Sequence, residues 1–303
     1  MAKIRDIILT SAFIFSLFPC AALEAKAGMS GSDFLTSFTD ARPAALSGAF
    51  VATASGISSI FINPAGIALD VRPELSGTHT IDIYDRSTEH FSAAFPMKDF
   101  SLGFSATYNY TSDFMAIDEF GNNQGIVANY DYILCASVSE KFLGFLSGGV
   151  NFKYFGSYLY KYSKNGIAFD AGALMWYNIF RFGVSLQNLG TQSAYINVVD
   201  PMPVLLRLGL GMKIKINASD YVSAEAGTIL PASSGEEKSF NFGAEYFCWD
   251  AVYLRCGANV YEESGYTLSL GAGVMLKNFV FEYTLGSINN SQKSQRLGIT
   301  FIL

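Results

Sequence analysis

From Pro73 to the C-terminus, apolar side chains alternate with small or polar ones in segment after segment. Between Val204 and Ile216, the residues Leu206, Leu208, Leu210, Met212, Ile214 and Ile216 fall on one side of an extended chain, and Arg207, Gly209, Gly211, Lys213 and Lys215 on the other. Successive side chains of a strand point to opposite faces, so each segment carries one apolar wall and one polar wall. The pattern parses into strands at 73–83, 89–96, 100–110, 125–138, 144–157, 164–177, 179–189, 203–216, 220–230, 238–248, 251–260, 265–276, 278–287 and 294–303. That is fourteen, or twelve if two weak hairpins are discounted.

A soluble sheet turns its apolar face to a core, whereas a membrane barrel turns it to lipid and keeps a polar lumen. Mean hydropathy is high, at +0.26. Charged residues make up only 15% of the chain, and beyond the N-terminus no stretch would make a helical span. Such a chain crosses a bilayer only as a closed barrel, because closure pairs every backbone group within lipid. A secreted β-sandwich is the alternative, but it would carry more charge on its outer strands. The expected fold is therefore all-β: a transmembrane antiparallel barrel of about fourteen strands over residues 73–303.

The connections fit that fold. Short ones are expected at 97–99, 139–143, 178, 217–219, 249–250 and 277–278, and longer ones around 111–124, 158–163, 190–202, 231–237 and 288–293. Short turns at one rim and long loops at the other are the periplasm/exterior asymmetry of outer-membrane barrels. Phe100, Phe142, Trp176, Tyr177, Phe180, Trp249 and Phe279 lie beside the short turns, and Tyr108, Tyr110, Tyr154, Tyr158, Tyr160 and Tyr162 lie toward the opposite strand ends. Two such belts belong at the two lipid–water boundaries. The last strand puts Leu297, Ile299, Phe301 and Leu303 on the lipid side, which resembles the signal read by the barrel assembly machinery. The partners implied are outer-membrane lipid and that machinery.

Residues 1–27 read as an export signal: Lys3 and Arg5 form a basic start, Ile7 to Phe18 an apolar core, and Ala25-Lys26-Ala27 a small-x-small cleavage site. The apolar run is too short to span a bilayer, which takes roughly 18 residues. Cys20 raises a lipoprotein alternative, but Pro19 is the wrong residue before an acylated cysteine. Cleavage would lower basic residues from 20 to 17 and acidic ones from 26 to 24, moving the net charge from −6 to −7. An acidic chain without basic clusters argues against nucleic acid as a partner. Cys135, Cys248 and Cys256 are too few and too odd for a disulfide framework. Cys248 and Cys256 flank the turn at Trp249-Asp250, about four residues out of register, so free thiols are expected.

No cofactor motif is present, and His79 has no metal-ligand partners at usable spacing. His90 and Ser92 share a strand face, but Ala93 and Ala94 follow, and a serine nucleophile needs a base and an orienter for that base. The chain does not read as an enzyme.

Residues 28–72 lack sustained alternation, are rich in Gly, Ala and Ser, and carry turn signals at Arg42-Pro43 and Asn63-Pro64. They read as a compact, partly helical segment. The stretch from Ala41 to Ala52 (ARPAALSGAFVA), followed by Ile60 to Ala68 (IFINPAGIA), resembles the N-terminal hatch of the FadL-like family of outer-membrane hydrophobe transporters. The overall length and hatch are also similar to uncharacterised spirochaetal members of that group and to the PorV/PorQ barrels of type IX secretion. Ser47 stands where the family usually has Gly, and Pro43-Ala44 interrupts its usual run.

The resemblance implies a plug of residues 28–72 inside the barrel, gated at Asn63, Pro64, Ala65 and Gly66, and passage of small hydrophobic molecules such as long-chain fatty acids through the outer membrane. The PorV likeness implies the alternative of a scaffold or shuttle for secreted proteins. Physically, Pro64 has a fixed φ and biases Asn63 away from helix, while Gly66 permits a reversal. Lumen-facing charges should include Lys153, Arg207, Lys213, Lys215, Glu225, Glu245, Arg255, Glu282 and Arg296. Turn-centred registers pair Lys213 with Glu225, Glu245 with Arg255, and Glu282 with Arg296. Alternatively one cation among Arg207, Arg255 and Arg296, with Arg207 or Arg296 foremost, meets a ligand carboxylate.

Overall fold

A computed structural model of the chain describes residues 32–82, 86–111, 114–117, 120, 122–191, 193–194, 199–232, 237–288 and 292–303. The proposed export signal with its cleavage site and Cys20, and parts of the loops at 231–237 and 288–293, lie outside the described residues. Fourteen strands hydrogen-bond in chain order into a closed antiparallel barrel. They are β1 (Glu74–Ile81), β2 (Ser87–Pro96), β3 (Ser101–Tyr110), β4 (Asn129–Phe142), β5 (Leu146–Leu159), β6 (Tyr162–Tyr177) and β7 (Phe180–Gly190). The second half comprises β8 (Leu205–Lys215), β9 (Tyr221–Pro231), β10 (Ser239–Cys248), β11 (Val252–Tyr261), β12 (Tyr266–Leu276), β13 (Phe279–Ile288) and β14 (Gln292–Ile302). The circle closes where β1 meets β14, with Glu74 opposite Ile302 and Ile81 opposite Gln295.

The alternation dictates which way each wall faces. Leu208, Leu210, Met212, Ile214 and Ile216 are all exposed on the outer surface, while Arg207, one position away from Leu208, is 2% exposed. Apolar side chains on the outside of a closed sheet belong in hydrocarbon, since water would leave their burial energy unclaimed. No described helix is long and apolar enough to cross a membrane; the outward apolar wall belongs to the strands of the closed barrel.

Turn chemistry sets the tight rim. Trp249 and Asp250 both have positive φ (56° and 58°), the conformation of a two-residue hairpin whose twist matches its strands. Glu245 then lies opposite Arg255, as the hairpin spacing requires. The same register sets Cys248 against Val252 and Cys256 against Ala244, and all three described cysteines are free.

Two boundaries differ from expectation. The fourth strand runs to Phe142 rather than 138, and the turn falls at Leu143-Gly144-Phe145, where Leu143 and Gly144 take positive φ. The polar run Ser139-Glu140-Lys141 resembles a turn in sequence, yet a strand end at the membrane–water boundary tolerates polar side chains. Residues 158–163 are not a longer loop either: β5 and β6 meet at a tight turn of Tyr160 and Lys161, with Tyr160 at φ 59°. As a result β4, β5 and β6 reach 14, 14 and 16 residues and stand taller than the other strands. Residues 125–127, expected to begin the fourth strand, instead belong to a separate small hairpin in which Asn123–Val127 pairs with Phe114–Ile117.

The outward wall yields a direct test. Leu210→Arg, at the middle of β8, should cost about 2–4 kcal/mol of stability in a bilayer. Urea unfolding in lipid vesicles measures it; an unchanged midpoint means that this wall does not face lipid.

Candidate functional site

The barrel wall surrounds a segment that has almost no regular structure of its own. Between Asp33 and Leu69 it forms a five-residue helix, Ala41–Ala45, and three 3-10 turns. Backbone polar groups that its own turns leave unpaired need partners from elsewhere, because an unpaired buried amide or carbonyl is costly. Inward side chains of the strands supply them. Gln187 donates to the carbonyls of Phe61 and Ile62 at 2.7 and 2.8 Å, and Asn151 donates to that of Ile60 at 2.8 Å. Asn241 donates to Ser47 O at 2.7 Å and Thr284 to Ala41 O at 2.8 Å. Donors from around the circumference thus grip one chain.

Glu225 does the converse. Its carboxylate accepts the backbone N–H groups of Val51, Ala52 and Thr53 at 2.6 to 3.0 Å, and the Thr53 hydroxyl at 2.8 Å. Charge-assisted bonds of this kind are the strong ones. Lys213 is not its partner: Glu225 lies opposite Gly211, while Lys213 lies opposite Ser223.

A chain of alternating charges closes the grip near the tight rim. Arg42 donates from Nε and Nη2 to the two oxygens of Glu245, each at 2.8 Å. Tyr221 donates to Glu245 Oε1 at 2.9 Å. Arg255 Nε donates to Glu245 Oε2 at 2.6 Å, and its Nη1 to Glu282 at 2.5 Å. Burial works against the Arg42 charge, but the facing Glu245 carboxylate more than offsets it, and the Arg42 pKa lies above the ordinary arginine value. Burial likewise pushes the Asp70 carboxyl above the usual carboxylate range, against the pull of Arg42.

The four motif residues sit together at the centre of this packing. Asn63 is fully buried and caps the 3-10 helix Pro64–Leu69, its Oδ1 accepting the Ala65 N–H at 3.2 Å. Its Nδ2 donates to Val51 O at 2.9 Å and to Ala173 O of β6 at 3.2 Å. Gly66 makes no reversal: it lies within that helix, and a Cβ there would come within 2.6 Å of Ser59. Its smallness serves close packing. The wall yields to the motif at Gly149, where a Cβ would stand 2.5 Å from the Pro64 carbonyl carbon.

Of the three arginines singled out in sequence, two converge on one residue, Phe38. Arg207 holds its guanidinium 5.6 Å from the centre of the Phe38 ring, and Arg296 Nε donates to Phe38 O at 3.3 Å. Arg207 also donates to Gln187 at 2.7 Å, and Arg296 to Ser294 at 2.8 Å. Arg255 is elsewhere, between Glu245 and Glu282, so Glu282 pairs with it rather than with Arg296.

A bulge in β7 aims another set of polar groups inward. Asp170 of β6 faces both Gln187 and Asn188, and Asn188 takes φ 61°. Lys153 reaches Asp170 at 2.8 Å and Asn188 at 2.9 Å, an ion pair buried in the wall. His90 is also inward and buried, against Thr107 at 2.9 Å and edge-on to Phe61. His79 meets Glu89 at 2.7 Å on the other face. No described cluster of His, Cys, Asp or Glu could hold a metal.

The polar lumen carries apolar patches: Leu174 and Trp176 of β6 pack against Leu46, Phe50, Val51 and Ile62, and a second patch lies toward the long-loop rim. Ile133, Phe155 and Ala168 point inward there, and with Met202 and Val204 they enclose Phe34, Leu35 and Phe61. The rings of Phe34 and Phe155 meet edge-on at 6.1 Å.

The sequence matches no family model and no curated protein. Its fold is similar to that of the CymD monoaromatic hydrocarbon channel, with a TM-score of 0.65 and 12% identity over 88% of this chain and 97% of that one. The P. putida toluene transporter TodX follows at TM-score 0.61 and 10% identity, over 86% and 98% of the two chains. The Ralstonia pickettii toluene transporter TbuX gives 0.57 and 13%, over 86% and 96%. The fold is shared with hydrocarbon channels. At these identities the likeness is one of architecture.

Two substitutions test the grip. Glu225→Gln removes the charge that holds Val51 to Thr53 and should cost about 1–3 kcal/mol, read as a lower thermal midpoint. Gly149→Val should unseat the Pro64 turn while the strands remain, so amide exchange over residues 50–66 accelerates with the far-ultraviolet β signal unchanged. Unaltered exchange would mean that the wall does not position this turn.

Proposed function

We propose that the protein is an outer-membrane channel for small hydrophobic molecules, exported by residues 1–27 and plugged by residues 28–72, which act as its hatch. One observation carries the reading: a barrel with an apolar outer wall is filled by its own N-terminal segment, whose backbone is gripped by inward side chains of the strands beside two small apolar clusters. A water-filled pore suits polar solutes. A filled barrel with an apolar patch under its long-loop rim suits a hydrophobe that displaces part of the filling. The hatch resemblance of Ala41 to Ala68 and the shared fold with hydrocarbon channels support the same reading.

In this mechanism the ligand enters among Ile133, Phe155, Met202 and Val204, taking over contacts now made by Phe34 and Leu35. Movement of the segment withdraws Phe38 from Arg207 and Arg296, which then face the vacated space and can meet a carboxylate; long-chain fatty acids are accordingly candidate substrates. Arg255 stays with its two carboxylates. The turn Asn63 to Gly66 is the gating element, because its polar contacts to β6 must break for the segment to shift. Nothing in the fold matches described above favours the secretion-scaffold alternative.

Uptake decides it. Cells of a host lacking its own hydrophobe channel, with the protein in their outer membrane, should take up radiolabelled toluene or dodecanoate several-fold faster than cells without it. Equal rates for both compounds would sink the channel reading, and a secreted protein co-purifying in stoichiometric amount would favour the scaffold.

A further inference from the structure

Asp40, the residue before the helix Ala41–Ala45, carries a carboxylate that the fold buries without compensating. It is 4% exposed. It stands at the N-cap position, yet its side chain makes no capping bond. Its Oδ1 accepts one long hydrogen bond, from Thr78 of β1 at 3.5 Å, and its Oδ2 has no hydrogen-bond partner among the described residues. No described cation lies within ion-pair distance of either oxygen. The cations of this part of the lumen are turned to other groups. Arg42 and Arg255 go to Glu245, Arg255 also to Glu282, and Arg296 to Phe38 O and Ser294. His90, opposite Thr78 on β2, bonds Thr107.

Hydroxyls line the path of this carboxylate. The enclosed segment passes from Phe38, held by Arg296 of β14, to Ala41, which lies against Gly298 of the same strand. A Cβ on Gly298 would stand 3.3 Å from the Ala41 Cβ and 3.5 Å from Thr78 Oγ1. Thr80 lies opposite Arg296 and Thr78 opposite Gly298, and both are buried. Thr39 and Asp40 therefore run past this pair of threonines. The Oγ1 atoms of Thr39 and Thr80 are, like Asp40 Oδ2, buried with no hydrogen-bond partner among the described residues. Three such oxygens along one short path are costly. A proton on Asp40 would remove the charge and leave both hydroxyls as they are, whereas a cation draws on all three oxygens at once.

We propose that Asp40, with the hydroxyls of Thr39, Thr78 and Thr80, binds one hard monovalent cation of the size of sodium between the enclosed segment and the strand at which the barrel closes. The donors are oxygens, with neither the imidazole nor the thiolate that transition metals select. One carboxylate balances one positive charge. Calcium takes roughly six to eight oxygen ligands, several of them carboxylates, and Glu282 is committed to Arg255. The bound ion ties the start of the segment to β1, so the seating of residues 39–48 depends on sodium whatever solute the barrel passes.

Salt exchange at constant ionic strength tests it. The full protein in zwitterionic detergent is melted in sodium chloride and in choline chloride, whose bulky cation does not fit among these side chains. Sodium should raise the thermal midpoint along a saturating curve and slow amide exchange over residues 39–48. Asp40→Asn should lose the sodium response. Thr80→Val should need about tenfold more sodium for half of the effect, since one hydroxyl ligand to a charge is lost. Should Asp40→Asn fail to fold, Thr80→Val, which keeps the charge, decides alone. Identical midpoints and exchange in the two salts would overturn the proposal and assign a proton to Asp40. A sodium response undiminished in either variant would also overturn it, as would stabilisation by calcium with none by sodium.

Discussion

Hydrocarbon offers the peptide group no hydrogen-bond partner, and nearly everything in this protein follows from that. Closure between β1 and β14 satisfies the wall. It also creates an interior, and an interior filled with irregular chain poses the same problem again. Here the solution is reversed: side chains of the wall pair the backbone of the filling. Gln187, Asn151, Asn241 and Thr284 point inward because strand alternation puts polar residues there, and each ends on a main-chain carbonyl of the segment.

Such a grip differs in kind from the packed apolar clusters that the segment also forms around Phe34 and Phe50. A core resists displacement through the loss of many small contacts at once. Directional bonds, each worth a net 0.5–1.5 kcal/mol or so, can be exchanged for water or for a ligand one at a time. A ligand moves the segment only insofar as it binds the displaced arrangement better than the seated one.

The barrel was legible because alternation has a period of two and a one-residue slip would turn every side chain to the wrong face. All fourteen strands match the pattern to within a few residues. The misses occur where polar side chains cease to mean turn: Glu140 and Lys141 sit at a wet strand end, and Tyr160-Lys161 closes a hairpin without a glycine. The motif Asn63 to Gly66 was visible as turn chemistry, and Arg207 and Arg296 as inward cations. Arg42 was in plain sight beside Pro43, but only its pairing with Glu245 gives it a role. Lys213 was matched to Glu225 on turn-centred counting, and the observed register parts them.

Strand placement, facing and the presence of an irregular leading segment follow from the order of residues alone, because they depend on local alternation and on the absence of any helical span, while the choice of fourteen strands over twelve is made by the closed ring. Which wall residue meets which residue of the enclosed segment does not. Those contacts join positions more than two hundred residues apart, such as Arg42 and Glu245, and their geometry depends on how closure rotates each strand's inner face around a common axis. Local chemistry could name the cations. Only the closed ring could decide that two of them share Phe38 and that one is neutralised by two carboxylates.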